Sequence, residues 1–409
     1  RSYITFFSLV WHISISFTLE TPTMNRLSQI SLQEGLLYGL LGLAAYLILA
    51  SSLRFQRRRI LHNNFPYRNR ASMGKMTDHD AFAIQKTIME MEYPFIVLKS
   101  IHFALFRVRI SHSERAQTAI ARTKFLHKGY RDSGKILEDD MLYTLSLFAT
   151  EPIRFVKLYE WREMTEMERC AVGTYWKSLG DALSISYEKL PSSKTEFQDG
   201  IHWLEEISEW SHSYELQHMK PHPRNKEVAD KTIDVLVYNL PEFMKPLGIY
   251  LVSFLMDERL RNAMMMESPP AFFRITFVLI FQLRRAFLRY LALPRPSFIR
   301  LDVFTEKPNE HGRNYVTYYE GAPFYVQPTI WNRWGPVAWF KWAMEHPLPG
   351  DDGDKYYPQG YYSPDLGPKY FEGKGRKVGG DQGQSSTAKT GTVPIPVICW
   401  SLPRIFTKF

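Results

Sequence analysis

The stretch ARTKFLHKGY, Ala121 to Tyr130, sets His127 near the end of a short basic and apolar run, two residues before Gly129. On a helix, Thr123 lies one turn before the histidine, and Arg122 and Lys124 flank that face. A neutral imidazole so placed could ligate haem iron, with the arginine or lysine near the haem carboxylates. Gly129 is expected to end the helix. Spacing alone leaves the matter open, because a lone histidine is more often packed or solvated than a ligand.

A second group, HSYELQHMKPH, presents His212, Glu215, His218 and His222. Steps of three residues drift around a helix by about 60° per pair, and Pro221 interrupts the run before His222. A solvated polar face is preferred there over a non-haem metal site. Asp181 in KSLGDAL and the carboxylates of Glu138, Asp139 and Asp140 could act as acids or bases, but capping and surface positions account for them. No GxSxG, GxGxxG after a strand, P-loop or HExxH occurs, so hydrolase, dinucleotide, NTPase and zincin chemistries lack their motifs.

The elements that must position these residues read as helices. Thr77 opens TDHD with a capping-box-like pattern, after which Ile84, Ile88, Met91 and Phe95 share one face and Pro94 is a kink or stop. Thr165 opens TEME, a better box with Glu168 at its fourth position, and Val172, Trp176, Leu179 and Leu183 follow at helical spacing. Glu138 to Asp140 stand at the start of MLYTLSLFA, where the helix dipole favours carboxylates. No strand alternation persists, so the domain is expected to be all-α. After Pro294, Pro, Gly and aromatic residues dominate and packed irregular loops are expected.

With 409 residues, 45% of them hydrophobic, the chain can bury a large core as one domain or two. The net charge of +9 is scattered, which fits an anionic membrane surface better than nucleic acid; no nucleic-acid partner is expected. Cys170 and Cys399 form no CxxC, so neither a disulfide framework nor a thiolate metal cluster is supported, and a reducing compartment fits. Ten Trp and 23 Tyr suit a large flat apolar ligand or a bilayer interface.

GLLYGLLGLAAYLILASSL, Gly35 to Leu53, carries no charge and is followed by RFQRRR, Arg54 to Arg59. Roughly 20 apolar residues span a bilayer. Four arginines on one flank, against Arg26 and Glu34 on the other, place the C-terminal side in the cytosol. The competing reading is a buried core helix. Another apolar run, Tyr3 to Leu19, could be a signal h-region; with Met24 as the start, residues 1–23 are taken as a translation artefact or upstream extension. Phe272 to Leu293 is apolar but is broken by Arg274, Arg284, Arg285 and Arg289, so an interfacial or core helix with snorkelling arginines is preferred over a second span.

From about Arg54 to Gly375 the chain resembles the family of fungal endoplasmic-reticulum-bound oxygenases typified by mpaB, grouped more loosely with the latex-clearing rubber oxygenases. The resemblance rests on MTDHDAFAIQK, HFALFR, ARTKFLHKGY, SGKILEDDMLYTLSLFA, CAVGTYWKSLGDAL, GIHWLEE, WNRWGPVAW, HPLPGD, KYYPQGY and GPKYFEGKG, in that order. It implies an all-α catalytic domain with a globin-like core, haem b held through one histidine, and cleavage of an isoprenoid carbon–carbon double bond by dioxygen. The position matching the family's haem-ligand motif is His127, with Arg122 as a cofactor-binding residue. Expected partners are an isoprenoid small-molecule substrate, dioxygen and membrane lipid. The expected location is the endoplasmic reticulum membrane, single-pass, with the catalytic domain cytosolic.

The corresponding division is an extension over 1–34, an anchor over 35–53, a catalytic domain over 54–375, and a disordered or misread tail over 376–409. In one respect the chain departs from the family. Between Arg107 and Ala121 it has only VRISHSERAQTAI, where the family carries a longer interval that holds distal residues; an omitted exon is expected, and no distal residue is assigned. The alternatives are a catalytically inactive membrane protein binding lipid or terpenoid, and, more weakly, a non-haem metal enzyme using His212, His218 and His222. A scan for haem absorbance separates the first reading from both.

Overall fold

The structure is a computed structural model that describes residues 32–93, 114–299, 304–305, 307–319 and 321–375. Its helices are α1 (Leu32–Arg54), α2 (Gln56–Asn64), α3 (Arg70–Met73), α4 (Asp78–Thr87), α5 (Glu114–Asp132), α6 (Glu138–Tyr159), α7 (Glu166–Ala182), α8 (Gly200–His218), α9 (Pro223–Leu236), α10 (Lys245–Leu255), α11 (Glu258–Ala263), α12 (Ala271–Ala286), α13 (Ile330–Trp334) and α14 (Pro336–Ala343). Among the described residues the only β pairing is two isolated bridges, Phe304 with Val316 and Asn314 with Tyr361. The fold is all-α, as expected. The second apolar run, Pro94, Phe95 and the tail from 376 lie outside the described residues.

The helix starts follow the capping chemistry. Thr77 accepts from the Asp80 amide, and Thr165 and Glu168 form a reciprocal box. The core lies where α4, α6, α7 and α8 pack together, with Trp176, Trp203, Ile84, Leu142 and Ile207 fully buried. Phe148 of α6 stacks on Trp176 of α7 at 5.4 Å between ring centres. Arg70 of α3 pairs with Asp199, which also caps α8 by accepting from the His202 amide.

Two expectations are corrected. The end of α4 passes into a π turn, Ile88–Glu92, closed by the Tyr93 amide on the Ile88 carbonyl. The wider turn rotates the face, so Met89 and Glu92 are buried and Met91 is only half-buried. Gly129 does not end its helix, which runs to Asp132. The stop comes from Gly134 at φ +66, where the chain reverses and the Lys135 amide donates to the Tyr130 carbonyl at 2.9 Å.

One described helix, taken from Gln33 through Asn64, is long and apolar enough to cross a membrane. Its charge-free part is mostly exposed, but Ala50 and Arg54 are buried where the end of α12 covers them. Two of the flanking arginines turn into the protein. Arg54 lies over the Trp161 ring at 4.6 Å and donates to the Leu293 carbonyl; Arg57 bonds Glu92 at 3.3 Å and the carbonyls of Met91 and Arg295. Arg162 meets Glu168 through two bonds of 2.7 and 2.8 Å and stands 3.8 Å from Glu92; Arg284 of α12 meets Glu160 at 3.1 Å.

Such buried charges are tolerable because each has a partner; removing one partner strands the other in low dielectric, at about 3–5 kcal/mol. Arg162→Met should therefore lower stability by about 3–5 kcal/mol, measured by denaturant unfolding of the full chain in detergent, while Lys226→Ala in the exposed pair with Asp230 should leave it nearly unchanged. Equal stability of the two variants would contradict the role given to this network.

Candidate functional site

His127 sits in the penultimate turn of α5, half-buried. Burial, and then the positive charge of Arg131 one turn further on, lowers its pKa from 6.5 to about 4. The imidazole is neutral at physiological pH, the state a metal ligand needs.

Two sets of contacts hold α5 in place. On one side Ile120 packs against the main core. On the other, the C-terminal segment wraps the helix. Arg122 donates to the carbonyls of Leu366, Phe371 and Lys374 at 2.7, 3.0 and 2.6 Å. Phe125 meets Phe371 edge to face, and the hydroxyls of Tyr130 and Tyr370 are 2.7 Å apart. Gly367, at φ +130, lets the wrap approach: a Cβ there would lie 3.0 Å from a Leu126 methyl in a backbone conformation that L residues rarely adopt. At the end of α5, Arg131 bonds Glu138 at 2.6 Å and the Ser184 carbonyl at 3.0 Å, joining α5 to the start of α6 and the end of α7.

The residues read from the sequence thus share a helix but not a task. Arg122 is buried and its guanidinium is directed at three backbone carbonyls, an anchoring role that the type and spacing of the residue did not disclose. The exposed cations of the stretch are Lys124 and Lys128, and Lys128 pairs with Asp132 at 2.9 Å. Of the interval between Arg107 and Ala121, residues up to 113 lie outside the described part, and Glu114 to Ile120 form the first turns of α5 itself.

The second histidine group is dispersed. The His212 Nδ1 stands 3.5 Å from Arg259, His218 stacks on Tyr214 at 4.3 Å, and the His222 Nδ1 accepts from the Arg224 amide to cap α9. Glu215 accepts from Tyr143 and Arg259 at 3.0 and 2.7 Å. Among the described residues no group of three or more His, Cys, Asp or Glu could hold a metal ion. Sequence reading missed the paired phenols here: Tyr214 donates to Asp140 at 2.8 Å beside the Tyr143 bond to Glu215, pinning α6 to α8. Their only signal was the tyrosine at helical spacing next to each charged group. Asp181 pairs with Lys177 on the surface, and Cys170 is buried.

No family model matches the chain. It is 46% identical over 373 residues to the ER-bound oxygenase mpaB' of Penicillium brevicompactum, covering 82% of this chain and 88% of that protein. It is 40% identical over 365 residues to the ER-bound oxygenase mpaB of the same species, covering 80% and 87%. It is also 46% identical over 261 residues to the ER-bound oxygenase mpaB of Penicillium roqueforti (strain FM164), covering 54% and 88%.

The depressed pKa of His127 carries a stability signature. Between pH 6.5 and about 4 the unfolded imidazole binds a proton that the folded one refuses, so stability rises with pH through that window and is lost as pH falls through it. His127→Leu, which cannot titrate, should flatten the stability profile between those limits in pH-dependent denaturant unfolding. A slope unchanged from the parent would place the titrating group elsewhere.

Proposed function

The chain belongs to the mpaB family of ER-bound oxygenases, and from that premise we propose that it is a haem-dependent member cleaving a carbon–carbon double bond of an isoprenoid side chain, with His127 as the residue that would hold the iron of haem b. An oxygenase takes dioxygen and a small-molecule substrate; the isoprenoid class is the finer reading. The observation that carries the proposal is the state of His127: neutral, half-buried, and on a helix held from three directions. That donor fits haem iron, whereas no described cluster fits a non-haem metal.

Haem b, when bound, supplies an iron centre able to activate dioxygen. The protein's share is placement. His127 presents its lone pair without first losing a proton, because burial and Arg131 keep it neutral. Arg122 holds α5 by ordering the wrap of 366–374 around it, and so acts as a positioning residue. A cation for the haem carboxylates is then better sought at the exposed Lys124 than at Arg122.

The setting suits an apolar substrate. A prenyl chain partitions into lipid, and a domain held at the membrane collects it in two dimensions. We read α1 as a single span of the endoplasmic reticulum membrane with the domain in the cytosol, since topology is set on the unfolded chain, where all four arginines between Arg54 and Arg59 still count.

Detergent-purified full chain should show the Soret absorbance of bound haem. His127→Ala should lose stoichiometric haem and activity; His212→Ala and His218→Ala should keep both. His127→Gly with added imidazole should regain the Soret band, which separates loss of a ligand from loss of the fold. Full haem retention without His127 would sink the assignment, and absence of haem from the parent chain would favour an apolar-ligand-binding protein.

Orientation is read separately. Glycosylation acceptor sites introduced after residue 60 should stay unmodified in microsomes; efficient modification would put the domain in the lumen.

A further inference from the structure

The exposed surface of α12 is as apolar as a core. Phe272, Ile275, Leu279, Leu283 and Phe287 are 71, 61, 57, 70 and 55% exposed, and they recur at three- and four-residue steps along one face. The opposite face is packed: Phe273 stacks on Tyr250 of α10, Phe277 and Phe281 meet Phe254, and Phe281 meets Tyr159 of α6. A soluble protein rarely leaves so long an apolar stripe in water. What covers it is indicated by its neighbour. The turn that continues α12, Phe287–Leu291, packs along α1, and the Tyr46 hydroxyl, within the charge-free run of α1, donates to the Leu291 carbonyl at 2.7 Å. The end of α12 therefore sits beside the C-terminal part of α1, between Tyr46 and Arg54, which bonds the Leu293 carbonyl.

Charge placement agrees. The arginines of this segment stand at its ends: Arg274 in the first turn, and Arg285 and Arg289 at the other end, while Arg284 turns inward to Glu160. The outward stripe from Ile275 to Leu283 has no charged residue. That pattern lets an apolar face dip below the headgroups with cations at the phosphate level. Next to α12, α10 and the turn before it expose Phe243, Leu247 and Ile249, and Tyr238 stacks on His346 beyond α14. Helices α13 and α14 expose Trp331, Trp334, Trp339 and Trp342, the residue type that gathers at membrane interfaces.

We propose that α12 is an in-plane membrane helix that seats the domain on the same bilayer α1 crosses, its Phe272–Phe287 face in the interfacial lipid. The reading rests on α1 being a span, and the experiment keeps the two apart. Full chain carrying Cys399→Ser, with Cys170 buried, receives a single environment-sensitive fluorophore through Leu279→Cys, Leu43→Cys or Lys231→Cys, and is reconstituted in phosphatidylcholine vesicles brominated either near the headgroup or near the chain end.

The label at 279 should be quenched several-fold more than the one at 231, and more by shallow than by deep bromine. The label at 43 should be quenched more by deep bromine. Quenching at 279 no greater than at 231, with 43 quenched, overturns this proposal and leaves the span standing; so does a 279 label shielded from aqueous iodide but blind to lipid, which means that protein covers the face. Deeper quenching at 279 than at the headgroup level also overturns it, in favour of a second span. An unquenched label at 43 beside a quenched one at 279 removes the span, and with it the proposal in this form, since no bilayer crossed by α1 would then be there for α12 to rest on.

Discussion

The rest of the structure depends on how the charges beneath Trp161 are paired. Arg162, Glu168 and Glu92 are nearly sealed from water, and Arg54 and Glu160 join them from α1 and the end of α6. Burial alone pushes the Glu92 and Glu160 carboxyls above their usual range, and the guanidinium groups around them pull the other way. None of these side chains could be there singly. The consequence is geometric. Because each charge needs its partner, α1, the π turn after α4, the start of α7 and the end of α12 are fixed to one point.

That junction also marks the limit of what the sequence could disclose. Helix starts were legible because their signals are local: Thr77, Thr165 and the Glu138 carboxylates act within one turn. The π turn at Ile88–Glu92 was not, because a pattern of apolar residues assumes a fixed period, and the residue that becomes buried, Glu92, reads as solvent-facing until Arg57 and Arg162 are brought to it. Gly129 and Gly134 make the same point. Both are glycines near a helix end, and only Gly134 stands where a positive φ is required. Around His127, what was legible was the helix that bears it. The direction of Arg122 was not, since its acceptors are main-chain carbonyls about 250 residues away, which no side-chain pattern encodes.

The ligand role proposed for His127 would place conflicting demands on α5. The imidazole must be dry enough to stay neutral, yet one side has to remain open to what it binds. The chain meets this by drawing the helix's support from its flanks: the wrap grips through Arg122, Phe125 and Tyr130, and Arg131 secures the C-terminal end. Arg131 serves twice, since the same charge that bonds Glu138 also lowers the basicity of His127. Glycine at 367 is the corresponding concession in the wrap, where any side chain would force the segment away from Leu126.

The arginines after the span show the same economy on a different time scale. On the topology proposed above, they are four unpaired charges while the chain is being inserted, and their number would oppose passage through the membrane. Once the domain folds, Arg54 and Arg57 are drawn under Trp161 and against Glu92, and Arg58 settles over the Phe55 ring. A signal read on the unfolded chain thus becomes a structural tie in the folded one. It also fixes the height of the domain. With Arg54 tied to Leu293 and Tyr46 to Leu291, the domain is held directly against α1 and does not hang from it on a flexible stalk. The helix drawn closest to α1 by these ties, α12, is the one whose residues are apolar on both faces.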